Sequence, residues 1–578
     1  MYKNIIQQAE NFINNETQYH LGFLPIEQSN PKTKHLDKIF EKSCNEGINT
    51  LLAVDRDLTI LAKKFLKDER FKKMENSIYR ALINNKKIIF SGCGATGRMS
   101  ILLESYYRNY FNKIKTENHE IYKKISCLEN SVFSIMTGGD YALIKSVEFF
   151  EDYQEFGRRQ VRELDIKKDD VLIASTGTGE TSSILGTVIE ASDRQACVFT
   201  LICVPARIPM ERLERSRTAF SRENVTVIDM PCGAMAVSGS TRMQSTTLEQ
   251  LIAGAALEKA MNRAIYFLTQ NRTDAPVNFL NLSIDYYQEF KNLLDALEEK
   301  NTLSSIASYI EFEEMIYKKQ GLITYYADDF LLDILTDTTE RSPTFMLPPF
   351  CKKDDNISQQ SWAFVKNAYI KNKDIWKHCL GRNLRCLDWN TRAYRQMGAG
   401  KEISSKPPKI NNSEMMKFLI GSEIDPQRLK TPDNAAVYIG SRAESAAEII
   451  KYSAGQYKQY KNFLINKKNT DADFFIKYKA PKTPLRLFEH LAVKLLMNII
   501  STGVMVKMGR IRGNWMTWLD ISNKKLIDRG IRIISELCNI DYRTACIELF
   551  ISQKNLSLIP PGQTRPSPVQ HTIERLKK

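Results

Sequence analysis

Two short stretches concentrate the residues that could do chemistry. "SGCGATGRM", Ser91 to Met99, sets three glycines, a serine, a threonine and an arginine behind the apolar "KKIIF". "TGTGET", Thr176 to Thr181, follows the apolar "VLIAS" and opens a helical stretch. Both read as strand-to-helix turns, where free backbone N–H groups and the positive end of the helix dipole favour an anion, commonly a phosphate. Gly94 and Gly97 in the first turn, and Gly177 and Gly179 in the second, let the backbone approach a ligand closely. Thr96, Thr176, Thr178 and Thr181 add hydroxyl donors. The first turn lacks the terminal Gly-Lys-Ser/Thr of a P-loop. It is not a dinucleotide fingerprint either, because Arg98 follows Gly97 and no acidic residue stands at the expected strand end.

For two such turns to face one ligand, their strands must share a sheet. "KKIIFSG", "VFSIMTGG", "DDVLIAS", "CVFTLICV" and "VTVIDMP" read as five strands. Helical stretches alternate with them, among them "RMSILLESYYRNYF", "ALIKSVEFFEDYQEFGRRQVREL" and "SSILGTVIEAS". That alternation predicts an α/β fold, a parallel sheet with helices on both faces. Residues 1–68 repeat apolar positions at helical spacing and are expected to form N-terminal helices. A long helix, "TRMQSTTLEQLIAGAALEKAMNRAI", ends in the polar "TQNRTDAPVN", which sets a domain boundary near Arg272.

Residues 273–483 repeat the order weakly, with the strand "LITYYAD", the helix "DFLLDILTDTTE", a turn "RSPTF" and the strand "AAVYIG". "QMGAGKEISSKPPKINNSE" reads as a surface loop. The expected domains are therefore 69–272, 273–483 and a helical cap over 484–578, whose tail after Leu558 is expected to be irregular.

A third stretch, "VSGSTRMQSTTLEQL" from Val237, completes a pattern. Two hydroxyl-rich turns in one sheet resemble the paired loops of the sugar isomerase (SIS) fold. The third stretch resembles the G-S-[ST]-R-[ML] signature shared by N-acetylmuramic acid 6-phosphate etherases and glucokinase regulatory protein. "EQSNPKTKHLD", "SGCGATGRM", "MTGGDYALIKSVEFFED" and the C-terminal "MNIISTGVMVKMGRIRGNWMTWLDISNKKL" resemble that family's other motifs, in the same order. The resemblance implies two tandem SIS domains with a helical cap and a phosphosugar ligand. The phosphate would meet Thr96, Thr176, Thr178, Ser240 and Thr241, and the sugar would meet Glu151. Asn523 and Lys525 would come down from the cap.

Etherase chemistry is elimination, and it needs two carboxylates at fixed positions for proton transfer. Counting along the ungapped first turn, one family glutamate falls on Tyr106. Glu104 lies two residues earlier, about 200° around a helix, and reads as a solvated helix residue. Glu151 matches the second glutamate. "DTTERSPTF", Asp337 to Phe345, resembles the missing motif in the second repeat; Glu340 could reach across to the first site as a partner for Glu151, but its expected role is structural, at the domain junction. The turn expected in the second repeat is "YADDFL", Tyr326 to Leu331, with no glycine and two acids. That repeat's sugar site is expected to be dead. One intact site in a fused pair of domains resembles glucokinase regulatory protein in layout. The expected function is a phosphosugar-binding regulator that senses fructose 6-phosphate or a similar sugar and acts on a sugar kinase; the alternative is an etherase-like lyase or a phosphosugar isomerase.

Composition narrows the rest. The chain has 578 residues, and Lys plus Arg exceed Asp plus Glu by 82 to 67, a formal charge of +15. The lysines are scattered, and no helix-turn-helix, zinc-finger or aromatic RNA-binding signature accompanies them, so nucleic acid is not expected. Eleven cysteines sit apart with no C-x-x-C, as in a reducing compartment. No signal peptide is expected at the start, and no apolar run approaches membrane-spanning length. The expectation is a cytoplasmic monomer with an internal pseudo-dimer, without metal or cofactor and without a membrane partner.

Overall fold

The computed structural model describes residues 2–269, 284–453, 455–465, 472–559 and 565–577. Among these residues ten strands form two parallel sheets of the same order. In the first, β1 (Ile88–Gly92), β2 (Val132–Met136), β3 (Val171–Ser175), β4 (Cys197–Ile202) and β5 (Val225–Asp229) are arranged β2-β1-β3-β4-β5. In the second, β6 (Ile323–Tyr326), β7 (Ala363–Lys366), β8 (Ala435–Gly440), β9 (Gln459–Ile465) and β10 (Phe474–Ile476) are arranged β7-β6-β8-β9-β10. Every residue of β1, β3 and β8 is buried. Helices cover both faces of such sheets, which is why these strands read as continuous apolar runs rather than as alternation. The sequence reading missed β7, β9 and β10, short strands between long irregular connections.

The helices that bear on the site are α1 (Tyr2–Asn15), α2 (Gly94–Glu117), α3 (Ser182–Asp193), α4 (Gln244–Thr269), α5 (Leu331–Phe345), α6 (Leu487–Lys507), α7 (Lys524–Cys538), α8 (Tyr542–Ser557) and α9 (Pro568–Leu576). A small hairpin, β11 (Ile511–Arg512) with β12 (Trp515–Met516), joins α6 to the segment before α7.

Several expectations need correction. "RSPTF" is not a turn but the end of α5, with Pro343 inside the helix. Buried Thr344 and Phe345 hold that last turn, and Met346 closes it with φ +49°. "ALIKSVEFFEDYQEFGRRQVREL" is not one helix: two 3-10 turns, Asp140–Leu143 and Glu148–Phe150, precede a helix over Gln154–Glu163. Packing overrides local propensity there, since Phe150 sits edge-on to Phe156 at 4.8 Å and stacks on Trp389 at 6.2 Å. The "QMGAGKEISSKPPKINNSE" segment contains two short helices, Lys401–Ser405 and Asn412–Met415.

The expected cap divides. α6 packs in the main core, while α1, α7, α8 and α9 share a second cluster that includes Ala9, Phe12, Ile531, Ile534, Leu549 and Val569. By length and hydropathy α6 could cross a membrane, contrary to the sequence reading, but 89% of its apolar window is buried inside the fold. It is a core helix. The tail is not irregular throughout: α9 starts at Ser567-Pro568, where the Ser567 hydroxyl accepts from the Gln570 N–H at 3.0 Å and proline takes the first helical position. The domain boundary near Arg272 lies outside the described residues.

Candidate functional site

The three hydroxyl-rich stretches meet at the carboxyl ends of the first sheet's strands, around a cavity of about 120 Å3. α2 starts at Gly94, whose φ of +54° a side chain would strain, and a Cβ there would meet nothing, so the backbone faces open space. Gly97 does not line the cavity. A Cβ at Gly97 would lie 2.7 Å from the Gly92 carbonyl oxygen, so this glycine lets the helix close on its own strand. Thr96 lines the cavity, but its hydroxyl donates to the Cys93 carbonyl at 2.9 Å and accepts from the Cys93 N–H at 3.1 Å. It caps the helix, and what it offers a ligand is its backbone N–H.

From the second turn, Thr176, Gly177, Thr178 and Thr181 line the cavity, and Gly179 turns away from it. Thr176 donates to Thr181 at 3.2 Å and Thr178 to Glu180 at 3.1 Å. Ser240 and Thr241, just before α4, also line it. Their hydroxyls bond to no other described side chain and remain available. Arg242 beside them is buried and ties the site to α5 and α6, reaching Asp337 at 3.2 Å and Thr502 at 2.8 Å. Its Nε has no hydrogen-bond partner among the described residues.

The cap supplies the remaining wall. Asn523 caps α7 through its Oδ1, which accepts from the Leu526 N–H at 2.9 Å, and its Nδ2 is buried beside the cavity with no hydrogen-bond partner among the described residues. Lys525 reaches Glu151 at 3.1 Å and Glu180 at 3.0 Å. Burial alone would lower the Lys525 pKa, but Glu151 and Glu180 outweigh it and raise it, so the lysine is charged. Burial would likewise raise Glu180, but Lys525 and Arg215, the latter at 2.8 Å, hold it near about 2. Arg529 and Arg532 of α7 clasp Glu27 at 2.6 and 2.8 Å, and these two cations overcome burial and hold Glu27 near about 2. The cap is thus bound to the first domain by buried charge pairs on both sides of the cavity.

Asp152 behaves oppositely. Burial first, then the charges of Glu151 and Glu180, push it up to about 7 from 3.8. A raised carboxylate costs stability as pH rises from about 4 to about 7, because the folded state there binds more protons than the unfolded one. Asp152→Asn should therefore raise Tm, with a gain that grows over that window and levels above it. The bound at pH 8 is about 4 kcal/mol, and partial solvent access reduces the expected gain to about 1–2 kcal/mol. Melting curves at pH 4.5 and pH 8 check this; an equal gain at both would contradict it.

Glu340 lines the same cavity as Glu151. It comes from α5 of the second sheet's domain and pairs with buried Arg98, which also donates to the Ala142 carbonyl at 2.9 Å and the Ser146 hydroxyl at 2.8 Å. Glu340 and Tyr106 are counterparts: 340 minus 326 and 106 minus 92 are both 14, counted from the last residues of β6 and β1. Tyr106 accordingly points to the second repeat's side, where it donates to Asp333 at 2.6 Å and stacks on His490 at 3.6 Å. The Asp328 and Asp329 turn is tied up by Arg442 and Arg486. Glu104 is not solvated. It is wholly buried, paired with Arg108 and Arg382 at 3.0 Å each, with Arg385, and with the Ser134 hydroxyl at 2.6 Å. Its partners at Arg382 and Arg385 are about 280 residues away in the chain, beyond any local pattern.

Sequence reasoning also missed Glu180, Arg242 and the Glu27–Arg529 pair. Glu180 sits inside the quoted "TGTGET", and a carboxylate in a phosphate turn was itself a sign that a cation must cover it.

Comparison with known proteins adds to this geometry. Residues 71–191 match the family model described as the glucokinase regulatory protein N-terminal SIS domain. The chain is 25% identical over 242 residues to N-acetylmuramic acid 6-phosphate etherase 1 of Bacillus licheniformis, spanning 42% of this chain and 70% of that protein. It is 25% identical over 241 residues to the N-acetylmuramic acid 6-phosphate etherase of Photobacterium profundum, with the same coverage of 42% and 70%. Among solved structures, the C-terminal domain of glucosamine-fructose-6-phosphate aminotransferase from Francisella tularensis overlays with TM-score 0.39 and 11% identity, over 79% of this chain and 94% of that one.

Proposed function

Because the chain belongs to the SIS-domain family of glucokinase regulatory protein and N-acetylmuramic acid 6-phosphate etherase, and so carries a phosphosugar-binding domain, we propose that it is a phosphosugar sensor whose cap reports occupancy. The observation that carries this reading is Lys525. A cation from the cap closes the cavity by pairing with Glu151 and Glu180 at 3.1 and 3.0 Å. The Ser240 and Thr241 hydroxyls, the Asn523 amide and the N-terminus of α2 converge where a phosphate would sit. A bound phosphate competes for Lys525, frees Glu151 to accept from a sugar hydroxyl, and must displace the cap to enter a space of about 120 Å3. Ligand affinity and cap position are then linked, as a two-state regulator requires. The protein whose hold the cap sets is a sugar kinase, the class named in the description of the matching family, and the chain works as a monomer in which the second domain takes the place of a dimer partner.

Hydrogen exchange over residues 519–538 tests the sensor. Fructose 6-phosphate should change exchange there by several-fold; exchange in that segment that ignores a saturating sugar would refute the linkage.

A second reading, a lyase of the etherase type, is favoured by one observation: Glu151 and Glu340 line one cavity, as a base and an acid for elimination would. Against it, each carboxylate is engaged by a cation, Glu151 by Lys525 and Glu340 by Arg98. If the lyase reading holds, Glu151→Gln abolishes lactate release from N-acetylmuramic acid 6-phosphate.

A further inference from the structure

A second cleft, of about 920 Å3, opens between the second domain, the 144–149 segment and the hairpin that leads to the cap. Its size falls within the usual range for small-molecule sites. Arg510 stands in it, 9% exposed, with its guanidinium 3.7 Å from the Trp518 ring centroid and 5.1 Å from that of Trp362. Among the described residues the guanidinium makes one hydrogen bond, from Nη1 to the Phe345 carbonyl at 3.1 Å. Among the described residues no carboxylate pairs with it. A buried charge without a counter-ion is costly, and burial lowers Arg510 to about 10. Lys145 and Arg565 also line the cleft with no ion pair, and Asp520 is the sole acid, among the described residues. Phe149, Leu347 and Phe350 supply an apolar wall.

We propose that this cleft binds a phosphate-bearing ligand with a flat apolar body, of the nucleoside phosphate class, its phosphate on the edge of Arg510 and on Lys145. Contact with two tryptophan rings restricts the guanidinium, whose Nε–H and Nη2–H edge is the fork that would meet an oxyanion. The excess of cations favours a multiply charged phosphate over a single carboxylate. The aromatic wall favours a flat body over a sugar.

The cleft also adjoins the first cavity. Trp518, Asp520 and Ser522 face the cleft, while Met516, Leu519 and Asn523 face the phosphosugar cavity, and Pro343 lines both. One short segment is the wall between them, so each ligand should shift the other's affinity, reciprocally. This coupling rests on the proposed phosphosugar site; binding in the cleft does not.

The test is AMP titrated against the full chain, read by tryptophan fluorescence and calorimetry. Running it also in Lys525→Met, which disables the phosphosugar site, separates failure of that site from failure of the cleft. Expected are saturable AMP binding in both proteins, a loss of about 10- to 100-fold with Arg510→Met, and a smaller loss with Lys145→Gln, which lies at a half-buried position and serves if the first variant does not fold. Adenosine or inorganic phosphate binding as tightly as AMP, no saturable AMP binding, or indifference to both substitutions would overturn the proposal.

Discussion

Replacing Lys525 by methionine is expected to weaken phosphosugar binding by on the order of 100-fold. A charge-assisted hydrogen bond to phosphate contributes about 1.5–3 kcal/mol, which is about 10- to 150-fold. The loss is deepened because Glu151 and Glu180 would face the incoming phosphate without the cation that now neutralises them at 3.1 and 3.0 Å. Lys524→Met is the control. Lys524 pairs with Glu16 at 2.6 Å at the edge of the cap, and 45% of its side chain is exposed. Its loss should change the sugar affinity less than about 2-fold, as for other exposed pairs. Calorimetry with fructose 6-phosphate decides. Equal small effects of the two lysines would mean that the phosphate sits elsewhere.

Glu104→Leu should be the most destabilising single change, by about 3–5 kcal/mol, because it removes the one buried carboxylate that three guanidiniums share rather than a whole ion pair. Arg108 would keep Asn130 at 2.9 Å and Arg382 would keep Asp140 at 2.6 Å, but the Arg385 guanidinium would keep a long hydrogen bond of 3.4 Å to Ser134 and its place over the Phe133 ring, with no carboxylate paired to it among the described residues. The cluster also fastens α2 of the first domain to the 382–385 segment of the second, so the domains should lose their mutual support together. Urea unfolding checks this: the midpoint should fall with an unchanged slope. A shift of less than about 1 kcal/mol would restore the reading of Glu104 as a surface residue.

That misreading shows where sequence reasoning reached and where it stopped. The first sheet was legible because its strands are short, mostly apolar runs alternating with helical stretches, and β1 and β3 end in glycine- and hydroxyl-rich turns. Thr176 and Thr178, inside the second turn, follow from the same local logic, whereas Ser240 and Thr241 came only from the resemblance of the third stretch to a family signature. What the turns do was less legible. Thr96 looks like a phosphate donor, yet its hydroxyl is spent on its own helix cap. Glu104, Arg98 and Tyr106 all take their meaning from partners more than 200 residues away, at Arg382, Glu340 and Asp333. No periodicity on α2 encodes such pairs. The tail helix was missed for a different reason, since Ser567-Pro568 is a helix start that the surrounding Pro-rich composition disguised.

The most direct measurement is proton NMR of the purified chain in deuterated water, with fructose 6-phosphate and N-acetylmuramic acid 6-phosphate in separate tubes. A sensor leaves both sugars chemically unchanged over many hours, with no lactate released and no deuterium entering the sugar carbons, while saturation transfer from the protein reports binding of at least fructose 6-phosphate. Lactate release or deuterium incorporation, lost in Glu151→Gln, would contradict the sensor and make the paired carboxylates of Glu151 and Glu340 an active site.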